Sequence, residues 1–175
     1  MSTDTIADTS AGPVPGYLAV PQGEGPWPGV VVIHEAFGLN DDIRGIADRF
    51  AAEGYLTFAP DLMATGLKIA CMVKLARSMS SGEGQPSEQI LGVRDWLKGR
   101  DDCTGRVGIA GFCLGGGYAN DLAKHGFDAA AAQYGRLPRN LAAAMAGSCP
   151  MVASYGGRDG SLKGAAAKLD RALTV

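Results

Sequence analysis

Cys113 carries the strongest chemical signal in this 175-residue sequence, because it stands in Gly111-Phe112-Cys113-Leu114-Gly115-Gly116-Gly117 directly after the β-branched run Arg106-Val107-Gly108-Ile109-Ala110. A strand that turns sharply into a helix lifts one side chain above the sheet edge, and flanking glycines remove the Cβ atoms that would clash in the turn. The segment reads as a nucleophile elbow with cysteine in the place serine usually holds. Backbone N–H groups and the dipole at a helix N-terminus favour thiolate over thiol, which suits nucleophilic attack.

Two other readings compete for the same residues. A dinucleotide-binding loop also joins strand to helix through glycines, but G-x-G-x-x-G requires glycine where this chain has Cys113. The acid expected at the end of the following strand is also missing, since Asp128 opens that strand. A lone cysteine in a glycine-rich turn is more often packing than chemistry, so the neighbouring strand ends decide.

Those ends carry further polar groups. The apolar run Pro28-Gly29-Val30-Val31-Val32-Ile33 leads into His34-Glu35-Ala36-Phe37-Gly38-Leu39, and a later strand ends at Gly156-Gly157-Arg158-Asp159. Ligands of α/β sheets bind outside the carboxyl ends of the strands. Cys113 before Asp159 follows the order nucleophile, then acid, of an α/β-hydrolase triad. Taken alone, Asp159 is a turn aspartate and Glu35 an exposed strand terminus.

The two histidines fit less well. Successive strand residues point to opposite faces, so if Glu35 faces Cys113, His34 faces away and is a packed or hydrogen-bonded strand-end histidine. His125 lies at the far end of the helix that begins beside Cys113, where a cation suits the dipole and Gly126 the cap.

The positioning elements follow from hydrophobic periodicity. Residues 1–15 read as a flexible lead, Gly16–Val20 as a short strand and Pro28–Ile33 as a strand buried on both faces. Asn40 and Asp41 cap a helix to about Glu53, and Tyr55–Ala59 forms the next strand. Ser87 caps a helix carrying Ile90, Leu91, Trp96 and Leu97, and the elbow strand follows. Phe127–Gln133 and Pro150–Tyr155 add two strands, and Ser161–Leu173 forms a helix. Apolar runs alternating with helical segments indicate α/β architecture, a mainly parallel sheet with helices on both faces, in a single domain over residues 16–175.

Composition narrows the function. A net charge of −2 and pI of 5.6 give no basic face for nucleic acid. Cys71, Cys103, Cys113 and Cys149 lack the close spacing of a zinc site, and the polar start lacks the pattern of a signal peptide. The expectation is a cytoplasmic protein with free thiols, no metal, no cofactor and no membrane span. Cys71 and Cys103 read as structural or incidental, and Cys149 before Pro150 as the start of a strand.

Four motifs in order, namely His34-Glu35-Ala36-Phe37-Gly38-Leu39-Asn40, Ala59-Pro60-Asp61-Leu62, Gly111-x-Cys113-x-Gly115-Gly116 and Tyr155-Gly156-Gly157-Arg158-Asp159, resemble the dienelactone hydrolase family from about residue 16 onward. The resemblance implies an α/β-hydrolase-like three-layer sandwich. It implies hydrolysis of a carboxylic ester or lactone through an acyl-enzyme, with Cys113 as nucleophile, Asp159 orienting a histidine and Glu35 accepting the thiol proton. The oxyanion hole would be the backbone N–H groups of Leu114 and Ala36. The family continues past the final helix into another strand and a histidine-bearing loop, whereas this sequence has no histidine after His125. The expectation is therefore a chain truncated before that histidine, lacking the last strand and impaired in turnover. Its terminal strand at 151–155 would then be an exposed edge prone to self-association.

Lys68, Lys74 and Arg77 fall in an acid-free stretch over residues 62–82, with Ile69, Val73 and Ala76 at helical spacing. One reading is a cap whose Arg77 binds an anionic ester or lactone; the other is a solvated helix face. A non-catalytic derivative of the fold, binding a small ligand or partner, is the alternative to the hydrolase.

Overall fold

The computed structural model describes residues 2–64 and 84–174. The strands are β1 Ser2–Thr9, β2 Gly12–Ala19, β3 Trp27–Ile33, β4 Leu56–Pro60, β5 Cys103–Phe112, β6 Ala129–Gln133 and β7 Met151–Ser154. The helices are α1 Asp41–Ala52, α2 Gln85–Lys98, α3 Leu114–Leu122, α4 Leu141–Met145 and α5 Ala165–Leu173, with a 3₁₀ turn at Gly160–Leu162. One sheet of order β1-β2-β4-β3-β5-β6-β7 joins the strands. From β4 to β7 the pairing is parallel, while β1 and β2 are antiparallel.

The alternation of side chains along β3 explains the layering. Val31 and Ile33 enter the cluster that also holds Ile90, Val93 and Leu97 of α2 and Tyr118, Ala119 and Leu122 of α3. Val30 and Val32 enter the opposite cluster with Ile43, Ala47 and Ala51 of α1. A strand buried on both faces must be apolar at every position, which is the reason for the unbroken run before His34. Helix α1 starts where expected, with the Asn40 side chain accepting the Ile43 N–H at 3.0 Å. No helix among the described residues is long and apolar enough to cross a membrane.

Three sequence expectations are corrected. Residues 2–9 and 12–15, expected within the flexible lead, form the edge strand β1 and the start of β2, joined by a turn closed by Thr9 and by Gly12 at φ 96°. Only Ala7 of β1 is fully buried, so its apolar signal is weak; pairing and side-chain ties such as Ser2 Oγ to Asp48 Oδ1 at 2.6 Å hold it. Ser87 lies inside α2, whose cap position is Gly84, because Pro86 suits the first helical turn and moves the start earlier. The Ser161–Leu173 segment is divided by Gly164 at φ 76° into the 3₁₀ turn and α5.

Candidate active site

Cys113 occupies the turn between β5 and α3 with φ 53° and ψ −107°, and its residue is exposed. This backbone region costs a non-glycine residue on the order of 1–3 kcal/mol and persists only where the surroundings enforce it. Here they do. The Cys113 N–H donates to the Gln133 carbonyl at 3.0 Å, and the Cys113 carbonyl accepts from Gly117 at 3.1 Å. Leu114 is the first residue of α3, so its N–H has no intrahelical acceptor and points out of the helix start.

The elbow glycines are contact surfaces. A Cβ on Gly111 would lie 1.9 Å from the Gly115 carbonyl oxygen, and one on Gly116 would lie 2.6 Å from that of Gln133. The facing Gly135 is as tightly placed, with a Cβ position 2.2 Å from the Gly116 carbonyl carbon. Side-chain-free contact therefore seats α3 directly on the end of β6. It also sets the elbow against the end of β3, where Gly115 meets the Ile33 and His34 carbonyls.

Beyond Ile33 the chain turns tightly, with Gly38 N–H donating to the Glu35 carbonyl at 3.3 Å. Glu35 is half-buried, and its Oε1 accepts from the Tyr134 hydroxyl at 3.0 Å. Burial, then the Glu35 carboxylate, then the charge of Cys113 push the Tyr134 phenol up to about 12. Cys113, Tyr134 and Glu35 thus share one electrostatic neighbourhood at the carboxyl ends of β5, β6 and β3. Tyr134 is the residue sequence reading missed. Its place after a strand end and before Gly135 is plain in the sequence, but nothing local specifies its contact with Glu35.

His34 is fully buried with both ring nitrogens engaged. Nε2 accepts the Leu62 N–H at 3.2 Å, which assigns the proton to Nδ1, the donor to the Glu35 carbonyl at 2.6 Å. Burial holds its pKa below the ordinary value. It is a neutral strap, and it accounts for Ala59-Pro60-Asp61-Leu62, whose Leu62 it binds. His125 is exposed, beyond the far end of α3 from Cys113.

Asp159 caps the 3₁₀ turn. Its Oδ1 accepts from Ser161 N at 2.9 Å and Ser161 Oγ at 2.6 Å, and these bonds hold its carboxyl below the usual range. Its described partners thus lie in its own turn. Cys103 is buried, and Cys149, half-buried, has its thiol pushed up by burial. Cys71, Arg77 and the expected cationic cap lie outside the described residues.

A mainly parallel sheet with helices on both faces and a strained strand-to-helix turn at the carboxyl end of β5 is the α/β-hydrolase fold. The Dienelactone hydrolase family model matches residues 14–174, and the chain belongs to that family. A Methylorubrum extorquens protein named as a carboxymethylenebutenolidase is 31% identical over 165 residues, covering 85% of this chain and 57% of its own length. An Escherichia coli protein named likewise is 32% identical over 168 residues, covering 85% of this chain and 61% of its own. The chain therefore spans about three-fifths of the length of these curated relatives. A crystal structure named for a dienelactone hydrolase from Klebsiella pneumoniae superimposes with a TM-score of 0.82 at 26% identity, covering 99% of this chain and 80% of that one.

Proposed function

We propose that this chain performs cysteine-dependent acyl transfer from a carboxylic ester or lactone. The observation that carries the reading is Cys113 held at φ 53° on an exposed elbow whose surroundings are glycine contacts. The Cys113 thiol gives its proton to Glu35, and the thiolate attacks the carbonyl carbon. The N–H groups of Leu114 and Ala36 receive the developing oxyanion. As the C–O bond breaks, Glu35 returns the proton to the leaving oxygen, and the acyl group remains on sulfur as a thioester. Hydrolysis of that thioester needs a group that activates water, a contribution of about 10²- to 10⁴-fold. His34 is occupied by two hydrogen bonds and His125 lies beyond the far end of α3, so neither fills that role. Asp159 is the carboxylate that would orient such a histidine.

The expected behaviour of these 175 residues is one acylation followed by slow release. Mixing the protein with a chromogenic ester should give a burst stoichiometric with Cys113, lost in Cys113→Ala, and then little turnover. No burst, or the same burst in the variant, would favour a non-catalytic binding derivative. The reading also includes self-association through β7, the outermost strand at its end of the described sheet, where Val152 is 60% exposed.

A further inference from the structure

Tyr134 has no role in the acyl transfer outlined above, yet three independent ties fix it beside that chemistry. Its backbone takes φ 44°, a conformation uncommon for a residue with a bulky side chain. Its N–H donates to the Ser154 carbonyl at 2.7 Å, so the strained residue is anchored to the end of β7. Its ring packs against Phe112, with centroids 6.3 Å apart, and the hydroxyl reaches Glu35 Oε1 at 3.0 Å. The preceding residue, Gln133, accepts the Cys113 N–H. One short segment therefore touches the backbone of the nucleophile and the carboxylate of its proposed base.

The geometry has a direct consequence for Glu35. Its backbone is fixed by the turn to Gly38 and by the His34 Nδ1 bond to its carbonyl, but a glutamate side chain still has three rotatable bonds. The Tyr134 hydroxyl removes that freedom by holding one carboxylate oxygen. The other oxygen stays available as an acceptor. A carboxylate restricted in this way needs no reorganisation to receive a proton from a neighbouring thiol.

We propose that Tyr134 is a positioning residue, whose hydroxyl holds Oε1 of Glu35 so that Oε2 is presented to the Cys113 thiol. The proposal rests on the assignment of Glu35 as the base for Cys113. Tyr134 acts through Glu35 and takes no proton from substrate. The strained backbone, the Ser154 anchor and the Phe112 contact set the ring before any substrate arrives.

Two measurements on the full chain test it. Ultraviolet titration of tyrosine ionisation should resolve a component near pH 12 that Tyr134→Phe removes and Glu35→Gln moves toward the ordinary value of about 10. Glu35→Leu, which unlike glutamine leaves no acceptor, should lower the component as well; one that stays in place in Glu35→Leu would overturn the hydrogen bond itself. Secondly, Tyr134→Phe should slow iodoacetamide alkylation of Cys113 by about two- to tenfold, while adding nothing further in a Glu35→Gln background. An unchanged or faster rate in the single variant, or additive losses in the double variant, would overturn the positioning role. Uniform labelling of all four cysteines in the parent chain would instead remove the nucleophile assignment. The titration would then still report on the Tyr134 contact, so the two failures are distinguishable.

Discussion

Gly115 of α3 and Ile33 of β3 meet so closely that a Cβ on Gly115 would lie 2.2 Å from the Ile33 carbonyl oxygen. The obstruction is backbone on both sides, so no side-chain rotation relieves it. This contact sets the elbow against the strand that delivers Glu35 and Ala36. Gly115→Ala should therefore cost about 1–3 kcal/mol, as overpacking does, and separate the elbow from the β3 end. A lowered urea midpoint together with slower Cys113 alkylation is expected. Unchanged values of both would show that the contact is not required.

His34 supplies the pH dependence at the other side of the same strand end. Its folded pKa is depressed by burial, so the unfolded chain binds more protons in the window below the ordinary value. The stabilising contribution is full above about pH 6.5 and declines as the pH falls toward the folded value. His34→Leu leaves the Leu62 N–H without its acceptor and should cost about 1–3 kcal/mol at pH 8. It should also flatten the loss of stability below about pH 6.5. Denaturant melts of both proteins across this range make the comparison, and parallel curves would contradict the assignment.

Asp128 acts in a lower window. Its Oδ2 accepts the Val107 N–H at 2.8 Å with Lys98 Nζ at 3.4 Å, and the backbone bond is the main cause of its depressed pKa. The contribution is present above about pH 3.9 and is lost as the pH falls through the folded value. Asp128→Asn should destabilise by roughly 0.5–1.5 kcal/mol at neutral pH, since solvent screens the Lys98 pair. The gap between the proteins should close in acid. A gap that persists at pH 2 would point to packing instead of charge.

Val152 on the outermost strand β7 tests association. The parent protein should form larger species as concentration rises, and Val152→Lys should suppress them, because a charge on an edge strand disfavours strand addition. Light scattering over a concentration series reads this directly. Identical weights for the two proteins at every concentration would exclude β7 as the contact.

Much of this fold was legible because its signals are local. The unbroken Val30–Ile33 run, short and β-branched, reads as a doubly buried strand, and Asn40 before a 3.6-period segment reads as a cap. What escaped was set by tertiary context. The β1 strand shows little apolar alternation, with Ile6 exposed and Ala7 buried, and exists through pairing with β2. Ser87 had the chemistry of a cap, but Pro86 shifted the helix start. Tyr134 was invisible for a similar reason. Nothing in Gln133-Tyr134-Gly135 specifies a hydroxyl reaching Glu35, 99 residues earlier in the chain. Alternation reads His34 as a packed or hydrogen-bonded strand-end histidine, and the structure shows it buried with both ring nitrogens bonded.

The proposed activation of Cys113 sets it apart from the other three cysteines. Its most direct test is competitive alkylation with limiting iodoacetamide near neutral pH, with each cysteine-bearing peptide quantified by mass spectrometry. The account predicts that Cys113 is modified first, well ahead of half-buried Cys149 and buried Cys103, and that Glu35→Gln reduces this preference. Equal labelling of Cys113 and Cys149, or a preference indifferent to Glu35, would contradict it.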